Sequence, residues 1–525
     1  MGRHDQLHLT YPSKTMYQML AETARRNPQL PACRYLGRSI SYARLMQRIA
    51  RAARGFYAMG IRRGDRVALC LPNCPQAVEC LYALNRLGAA AVMIHPLSAP
   101  REIRTALETA RSGVLVIPDR LFPAADAARR GLPGVTLVVL GRAGGAAGQL
   151  GWRRLLAAGR GLRLPQDTGR AGDPAVILFS GGTTGTPKAV VLSNLNFNAL
   201  ALQILAAGGF GDVTGMKLLA VLPLFHGFGL GVGVHTPLLG GACCVLVPRF
   251  RAEACARLLL REKPQIIPGV PALFEALLQQ PRLKTADLGF LRGVFCGGDR
   301  LTPELKARMD AFLAARGAPA RLREGYGLTE CVTACCLAPP EGCPPESMGL
   351  PLPDTLCAVC RPGTTEVLPP GAEGEICLTG PTVMVEYMGN PDETARALRR
   401  HGDNRIWLHT GDLGYRNAEG FLCFTQRLKR VIVTRGYNVY PARLEAVLEE
   451  YPGVRAACVI GVADPRKGQK VRAYVVGNGL TREDLLAHCR DRVARYALPE
   501  EIVFRSELPR TKLGKVDYHK LEEEA

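Results

Sequence analysis

The chain has 525 residues. This is too long for a single hydrophobic core, because single cores stop growing at about 300 residues. Apolar residues make up 47% and charged residues 22%, which disfavours a disordered, fibrous or multi-span membrane protein. The net charge of +21 suggests nucleic acid or anionic membranes as binding partners to be considered. The basic residues are scattered as pairs rather than collected in a run, so a solvated surface is favoured and no nucleic acid is expected.

The first residues, MGRHDQLHLTYPSK, contain no apolar run, so we expect no secretory signal and a cytoplasmic protein. Between Lys217 and Arg249 lie 31 uncharged residues, enough to cross a bilayer. Pro223, Pro237 and many glycines interrupt this stretch. The pattern is therefore more typical of a buried strand, a loop, a glycine-rich helix and a second strand than of one spanning helix.

The eighteen cysteines lie mostly inside apolar stretches, which is typical of reduced thiols in a core. The densest group runs from Cys331 to Cys360. It contains a single Cys-x-x-Cys spacing, inside the apparent strand LCAVC, whereas structural zinc usually requires two such pairs or added histidines. The pattern therefore does not favour a metal.

Up to about residue 425 the chain alternates helical periodicity with short β-rich runs, which predicts an α/β body whose strands are buried on both faces. After Arg427 the pattern restarts as a compact α+β unit of about 100 residues. We predict a large N-terminal body at 1–425, made of several subdomains, a hinge at 426–429 and a small mobile C-terminal domain at 430–525. The stretch 141–152 is predicted to be a surface loop. The predicted strands of the body are RVALCLP, AAVMIHP, GVLVIP, VTLVVLG, AVILFS, CCVLVP, QIIPGV and LRGVFCGG.

A loop of glycines, hydroxyls and one ammonium follows the apolar run ILFS at residues 177–180. Glycines let backbone N–H groups approach an anion, and threonine and lysine add donors and charge, so the loop suits a polyphosphate. A tight strand-to-strand turn is the structural alternative. The phosphate-binding candidates are Ser180, Gly181, Gly182, Thr183, Thr184, Gly185 and Lys188.

This loop resembles the phosphate-binding signature of the acyl-adenylate-forming superfamily, which includes acyl- and aryl-CoA synthetases, adenylation domains of peptide synthetases and firefly luciferase. Further segments similar to family motifs follow in the family's order over nearly the whole chain. They are PLFHGFG, CGGDRL, GYGLTE, GEICLTGPTVMVEYMGNPDET, HTGDLG, QRLKRVIVTRGYNVYPARLE and LPRTKLGK.

The resemblance assigns roles that agree with the chemistry of the residues. Tyr326 is able to stack on adenine, and Thr329 offers a hydroxyl to phosphate. Glu330 and Thr183 are assigned to Mg²⁺, which prefers carboxylate and phosphate oxygens. Asp412 is assigned to the ribose diol. The remaining nucleotide-binding candidates, in CGGDRL and GYGLTE, are Gly298, Asp299, Gly325 and Gly327. For GYGLTE and HTGDLG taken alone, a capped turn is the alternative interpretation.

The end of the chain carries the remaining assignments. By resemblance, Lys515 is the catalytic lysine, whose ammonium bridges the attacking carboxylate and the α-phosphate. Arg427 is assigned to ribose, and Lys429 falls where the family hinges. Gly436 lies where the related loop lines the path of the pantetheine arm of CoA.

His226 in PLFHGFG is the candidate residue for contact with the acid substrate. Related amino-acid-activating domains commonly have an aspartate near this point, so an amino-acid substrate is not expected. The pairs Gly227/Gly231 and Gly229/Gly233 are spaced i, i+4, and in a helix each pair opens a groove free of side chains. Two interpretations remain open here, room for an extended acyl tail and close helix packing.

Four positions depart from the family's usual pattern. Gly181 stands where many relatives have serine, Ala189 and Glu386 stand where glycine is usual, and Gln426 precedes Arg427 where glycine or aspartate is common. Gln426 bears most directly on the hinge. None of these departures removes a charged catalytic group.

The resemblance implies a carboxylate:CoA ligase that uses ATP, Mg²⁺ and CoA and forms an acyl-AMP intermediate, with a medium- or long-chain fatty acid as substrate and an aryl or branched acid as the other choice. One alternative transfers the acyl group to a carrier protein. A second is an Arg-rich nucleotide or nucleic-acid binding protein without turnover. Peripheral membrane contact through the basic surface is left open.

Overall fold

The computed structural model describes residues 7–132, 134–141, 148–180, 188–299, 301–434, 437–439, 441–464, 468–490, 492–493, 497–511 and 515–525. Two compact units divide the chain. The first contains residues up to Cys357 together with Leu378–Leu408 and Glu419–Phe421. The second contains Ala358–Cys377, His409–Ala418 and Leu422–Ala525.

The first unit is a mixed α/β body, and the second is a smaller α+β unit, which confirms the predicted fold class. Through the first half of the chain the elements are α1 Met16–Arg26, β1 Pro31–Tyr35, β2 Arg38–Ser41, α2 Tyr42–Ala58, β3 Arg66–Leu69, α3 Pro75–Arg86, β4 Ala90–Met93, α4 Pro100–Ala110, β5 Val114–Pro118, α5 Phe122–Arg129, β6 Thr136–Leu140, β7 Gln149–Gly151, α6 Trp152–Ala158, β8 Pro174–Ser180, β9 Lys188–Ser193, α7 Asn194–Ala207, β10 Lys217–Ala220, a π-helix at Phe228–His235, α8 Thr236–Leu239 and β11 Cys243–Leu246.

The remaining elements are α9 Ala252–Glu262, β12 Ile266–Gly269, α10 Pro271–Leu278, β13 Gly293–Cys296, α11 Pro303–Ala314, β14 Leu322–Tyr326, a 3-10 turn at Thr329–Cys331, β15 Cys336–Leu337, β16 Leu350–Pro351, β17 Leu356–Cys360, β18 Gly374–Thr379, β19 Glu386–Tyr387, α12 Pro391–Ala397, β20 Leu398–Arg400, β21 Ile406–Arg416, β22 Leu422–Arg427, a 3-10 turn at Leu428–Arg430, β23 Ile432–Thr434, β24 Tyr437–Val439, α13 Pro441–Glu449, β25 Val454–Asp464, β26 Gly468–Gly477, α14 Arg482–Arg490, β27 Glu501–Arg505 and α15 Tyr518–Glu523.

Two large, mostly parallel sheets form the first unit. One has the strand order β16-β15-β14-β13-β12-β10-β11-β1-β2, and the other has the order β19-β9-β8-β4-β3-β5-β6-β7. All eight strand-like runs predicted for the body form strands in these sheets. Strands β4, β11, β12 and β13 are buried along their whole length, as expected for parallel strands covered by helices on both sides.

The uncharged stretch after Lys217 folds as predicted. It forms strand β10, a loop, the glycine-rich π-helix with α8, and strand β11. None of the helices in the described part of the chain combines the length and apolarity that crossing a bilayer requires.

The prediction of a surface loop at 141–152 is wrong at the C-terminal end of that stretch. Strand β7 forms at Gln149–Gly151, and helix α6 begins at Trp152. Leu150 pairs with Val138 of β6, so an existing strand edge imposes the extended conformation on a sequence with little strand propensity of its own.

The second unit is built on an antiparallel core in which β25 and β26 pair along ten residues or more. Strand order is β24-β23-β26-β25, and β27 adds to β26 in parallel. Helices α13 and α14 complete the α+β pattern of this unit. Strand β24 and helix α15 were not predicted. The predicted domain boundary at 426–429 remains a prediction.

A buried histidine joins three helices of the first unit. His235, at the end of the π-helix, is fully buried. Its Nδ1 lies 2.9 Å from the hydroxyl of Tyr82 in α3, and its Nε2 lies 3.0 Å from Oδ1 of Asn198 in α7. Because the amide oxygen only accepts, Nε2 carries a proton. Burial lowers the pKa of His235 to about 3.

This histidine predicts an acid-sensitive fold. The unfolded chain binds a proton at His235 below about pH 6.5, and the folded chain does not until about pH 3. Stability is therefore present above pH 6.5 and falls by about 2 kcal/mol between pH 6.5 and 5.0 from this group alone. In His235→Gln the loss of melting temperature between pH 7.5 and 5.0, measured by scanning calorimetry, should be smaller than in the native protein. The control His519→Gln should keep the full loss, and equal losses in both variants would contradict the assignment.

Candidate functional site

The proposed phosphate loop connects two paired strands. β8 ends at Ser180 and β9 begins at Lys188, and these two residues are direct partners in the antiparallel pair. Gly181, Gly182, Thr183, Thr184 and Gly185 lie outside the described residues, and their assignments remain predictions. At the far end of β9, Ser193 caps α7 in a reciprocal pair with Asn196, which fixes the corner after the strand.

Lys188 is held by two groups from the segment around β19 and α12. Its Nζ forms an ion pair with the carboxylate of Glu393 and lies 4.6 Å from the centre of the Tyr387 ring. Hydrogen bonds from Lys188 and Arg396 lower the pKa of Glu393, so this carboxylate is charged at neutral pH. The ammonium is therefore kept at the start of β9 with a fixed direction.

Tyr387 also holds Glu330. The Tyr387 hydroxyl donates to Oε1 of Glu330 over 2.8 Å, and the backbone N–H of Met384 donates to the Glu330 carbonyl over 2.8 Å. Tyr387 is buried, and burial raises the pKa of its hydroxyl, which therefore stays a donor. The side chain of Asn196 donates to the carbonyls of Pro381 and Val383 and fastens this segment to α7.

The structure thus brings together the predicted phosphate lysine and the predicted metal carboxylate through residues that were not predicted. We call Lys188, Glu330, Tyr387 and Glu393 the charged cluster. The only sequence signal for its two unpredicted members was the motif-like segment VEYMGNPDET, whose individual residues carried no assignment.

The nucleotide candidates lie at the carboxyl ends of β13 and β14. These strands are parallel neighbours, with Cys296 opposite Glu324, so the residues that follow them share one edge of the sheet. Gly298 has a φ of +80°, which disfavours any other residue. Asp299 follows directly, and Tyr326, half-buried, closes β14 at the same edge.

The turn after β14 is packed around a glycine. A Cβ on Gly327 would lie 1.6 Å from the carbonyl oxygen of Thr333. Gly325 pairs with Leu337 across β14 and β15, and Thr329 begins the one-turn 3-10 helix that carries Glu330. The predicted residues of GYGLTE therefore form one continuous strand and turn.

The segment that carries His226 packs against the same turn through Gly227. Its backbone N–H donates to the Pro223 carbonyl, and its Nδ1 accepts from the backbone N–H of Phe228 at 3.3 Å. The ring of the preceding residue, Phe225, contacts the His95 ring at an angle of 45°, with ring centres 4.2 Å apart. The next residue, Gly227, approaches the turn so closely that a Cβ would lie 1.7 Å from the carbonyl oxygen of Val332.

The glycine-rich helix does not open the groove that the i, i+4 spacing suggested. A Cβ on Gly229 would lie 2.0 Å from the Pro223 carbonyl oxygen, and one on Gly231 would lie 2.7 Å from a methyl group of Leu200. Together with Gly227, these positions are filled by neighbouring atoms, so close packing is the correct interpretation there. At Gly233 the nearest atom would be 3.7 Å away.

In the second unit, two predicted ribose contacts are direct cross-strand partners. Asp412 on β21 lies opposite Arg427 on β22, and Nε of Arg427 is 3.5 Å from Oδ1 of Asp412. The Asp412 side chain is 9% exposed and the Arg427 side chain 50%, so the carboxylate is held in place while the guanidinium reaches solvent.

The turn that presents Asp412 is fastened by Glu375, which was not predicted. Oε1 of Glu375 accepts from the backbone N–H of Gly411 at 3.0 Å, and Oε2 lies 2.9 Å from Nδ1 of His409. Gly411 has a φ of +71°. The hydroxyl of Thr410 donates to a β18 carbonyl and accepts from the Asp412 N–H. The side chain at 375 therefore holds both sides of the turn.

Glu375, Cys377 and His409 could also serve together as metal ligands. Their ligand atoms all lie within 4.8 Å of one another, and all three residues are buried. The hydrogen bonds to His409 and Gly411 already engage both carboxylate oxygens of Glu375, so the observed contacts explain the cluster as the support of the turn.

The predicted hinge begins with a buried side chain. Gln426 is 2% exposed, and its Oε1 accepts from the backbone N–H of Ala442 at 3.4 Å. Lys429 lies in the 3-10 turn that follows β22. Arg430 then forms an ion pair with Glu445 of α13. Gly436 lies outside the described residues.

Lys515 lies near the end of the second unit and is half-buried. Its carbonyl accepts from the Thr511 N–H at 2.7 Å, and Arg510 and Val516 form an antiparallel bridge. The N–H of Asp517 donates to the Pro509 carbonyl. The lysine is therefore placed on a hairpin-like tip rather than on an unstructured tail.

Comparison with known proteins agrees with this architecture. A family model described as AMP-binding enzyme matches residues 20–388, and one described as AMP-binding enzyme C-terminal domain matches residues 443–515. The long-chain-fatty-acid–CoA ligase of Bacillus subtilis (strain 168) is 31% identical, with 98% of this chain and 95% of that protein covered.

Two further relatives extend the comparison. The feruloyl-CoA synthase of an Amycolatopsis species is 32% identical, with 94% of this chain and 95% of that protein covered. The crystal structure of ATP-bound MatB from Rhodopseudomonas palustris has a TM-score of 0.85 and 27% identity, with 98% of this chain and 99% of that chain covered.

A large α/β body followed by a small α+β unit, with nucleotide candidates at the carboxyl ends of parallel strands, defines an adenylate-forming enzyme fold. The chain belongs to the AMP-binding enzyme family, as the resemblance predicted. It is an enzyme of the acid–thiol ligase class, in a family whose members include acyl- and aryl-CoA ligases and use ATP and CoA as substrates.

The packing of the glycine-rich helix predicts two different outcomes for the same substitution. Gly229→Ala places a methyl group against backbone atoms of Pro223 and should lower stability by about 3 kcal/mol, because backbone cannot move aside as a side chain can. The matched control Gly233→Ala has space and should change stability by less than about 1 kcal/mol. Melting temperatures of the two variants check this, and similar values would contradict the packing.

Proposed function

We propose that the chain activates a medium- or long-chain fatty acid with ATP and transfers the acyl group to CoA. The observation that carries the proposal is the charged cluster, which holds an ammonium at the end of the proposed phosphate loop and a carboxylate on the same tyrosine. A carboxylate oxygen is a poor leaving group, and attack of the acid on the α-phosphate converts it into a good one. The products of this first step are acyl-AMP and pyrophosphate.

Each candidate site residue of the first unit has a role in that step. Lys188 offers a fixed positive charge to the phosphates, and Tyr326 with Gly298 supports the adenine. Glu330 fits a divalent cation, since the Tyr387 hydroxyl holds its carboxylate in place through one oxygen. With Thr183, Glu330 would hold Mg²⁺, which neutralises phosphate charge. His226 and the adjacent ring pair of Phe225 and His95 face the acid in this proposal.

The second unit contributes to both half-reactions in this proposal. Asp412 and Arg427 bind the ribose, and the ammonium of Lys515 stabilises the negative charge that develops between carboxylate and α-phosphate. The unit then reorients about 426–429 and presents Gly436 and its neighbours, so that the CoA thiolate displaces AMP.

An aryl acid is the second candidate, and two observations favour it. Gly227 and two glycines of the π-helix, Gly229 and Gly231, are closely packed and leave no groove for an acyl tail beside them, and the Phe225–His95 pair offers aromatic surface beside His226. The relatives include both a fatty-acid and a feruloyl ligase.

Pyrophosphate release across a panel of acids tests the proposal. We expect carboxylate-dependent release that increases from butanoate to hexadecanoate and requires CoA for thioester formation. A maximum with cinnamate-type acids would select the aryl candidate. Acyl transfer to a phosphopantetheinyl carrier protein but not to CoA would support the carrier alternative. Nucleotide binding without release for any acid, weakening steeply with salt, would contradict the ligase assignment.

Lys515→Ala separates the two half-reactions. Acyl-AMP formation should fall by about 100-fold or more, because a charge that stabilises the transition state is lost. Thiolysis of preformed acyl-AMP by CoA should be retained. The matched control is Lys520→Ala, five residues further along on α15 and exposed, which should leave both steps unchanged. An equal loss in both half-reactions of Lys515→Ala would contradict the role given to Lys515.

A further inference from the structure

Two cysteines from the densest cysteine group face each other in the first unit. Cys336 lies on β15 and Cys357 on β17, and their sulfur atoms are 4.0 Å apart. A disulfide has a sulfur–sulfur bond of about 2.05 Å, so closing the pair requires the two sulfurs to approach by about 2 Å. All eighteen cysteines are free thiols in the structure.

The surroundings of the pair differ from those of a buried core thiol. Cys357 is half-buried and accessible from solvent, whereas Cys336 is fully buried. The neighbouring thiols of Cys331 and Cys335 donate to the carbonyls of Leu328 and Tyr326. The neighbouring sulfur groups of Cys335 and Cys357 lower the pKa of Cys336, which favours its thiolate as a nucleophile.

The pair lies directly behind the proposed adenine-stacking residue. Cys336 is the cross-strand partner of Tyr326, and the adjacent Cys335 donates its backbone N–H to the Tyr326 carbonyl at 2.9 Å. Strand β15 is two residues long, so a displacement of Cys336 also displaces its pairing partner at the end of β14. Any movement of β15 toward β17 therefore displaces Tyr326.

We propose that Cys336 and Cys357 form a reversible disulfide with a hydroperoxide as oxidant, and that this bond weakens ATP binding. The Cys357 sulfur attacks one peroxide oxygen of H₂O₂, the O–O bond breaks, and a sulfenic acid and water are formed. The Cys336 sulfur then attacks the Cys357 sulfur, the S–O bond breaks, and a second water leaves. Two thiols and one H₂O₂ thus give one disulfide and two waters.

The chemical part of the proposal is tested without reference to activity. The full chain is treated with H₂O₂, free thiols are blocked with iodoacetamide, and the protein is digested after glutamate. Residues 324–360 contain no Lys or Arg, so trypsin would leave both cysteines on one peptide, whereas cleavage after Glu341 and Glu346 separates them. Fragmentation mass spectrometry should then find a Cys336–Cys357 cross-link that dithiothreitol removes.

The functional part rests on the proposed role of Tyr326. Oxidation should raise the KM for ATP by about tenfold, and dithiothreitol should restore it. Cys357→Ser should keep its ATP KM under peroxide. The matched control is Cys343→Ser, which removes another half-buried thiol of the same segment and should stay sensitive.

Each outcome decides one part of the proposal. Failure to find the cross-link, or a Cys360–Cys377 bond in its place, overturns the disulfide. A cross-link with an unchanged KM for ATP overturns its link to nucleotide binding. Because the cross-link is measured by mass, its result stands even when none of the acids tested supports pyrophosphate release.

Discussion

The hydroxyl and ring of Tyr387 form the contact on which the first unit's site depends. The hydroxyl donates to Glu330, and the ring lies beneath the ammonium of Lys188. An acidic and a basic side chain are thus kept close together without neutralising each other, because Glu393 rather than Glu330 pairs with the lysine. A site for a polyphosphate and its cation needs both charges available at once.

In the second unit, too, a buried residue holds a candidate ligand-binding side chain in place. Asp412 lies at a tight turn, and the turn is held by Glu375 on a neighbouring strand as well as by its own residue Thr410. Arg427 approaches Asp412 from the other side through strand pairing. In both units the residue that touches the ligand in our proposal is supported by a buried residue from a segment far away in sequence.

These supports explain what could and could not be predicted from sequence. Strands such as β11 were predictable because a fully buried parallel strand must be apolar throughout. Ser180, Lys188 and Glu330 could be named as candidates because their chemistry and motifs point to phosphate and metal, and these assignments stay predictions. Tyr387 and Glu375 could not be named, because their roles follow from hydrogen bonds across 57 and 34 to 36 residues of chain. Strand β7 was missed since its partner strand, not its composition, makes it extended.

The backbone packing of the glycine-rich helix has a consequence for enzyme engineering. The space beside Gly227 and Gly229 is filled by carbonyl oxygens, which no choice of side chain elsewhere can remove. Mutant libraries aimed at a different acid should keep these two positions constant. The residue to randomise is Phe225, which faces the acid in our proposal and meets His95 through its ring. His95 should be kept, because its Nδ1 accepts a hydrogen bond from the backbone N–H of Leu97.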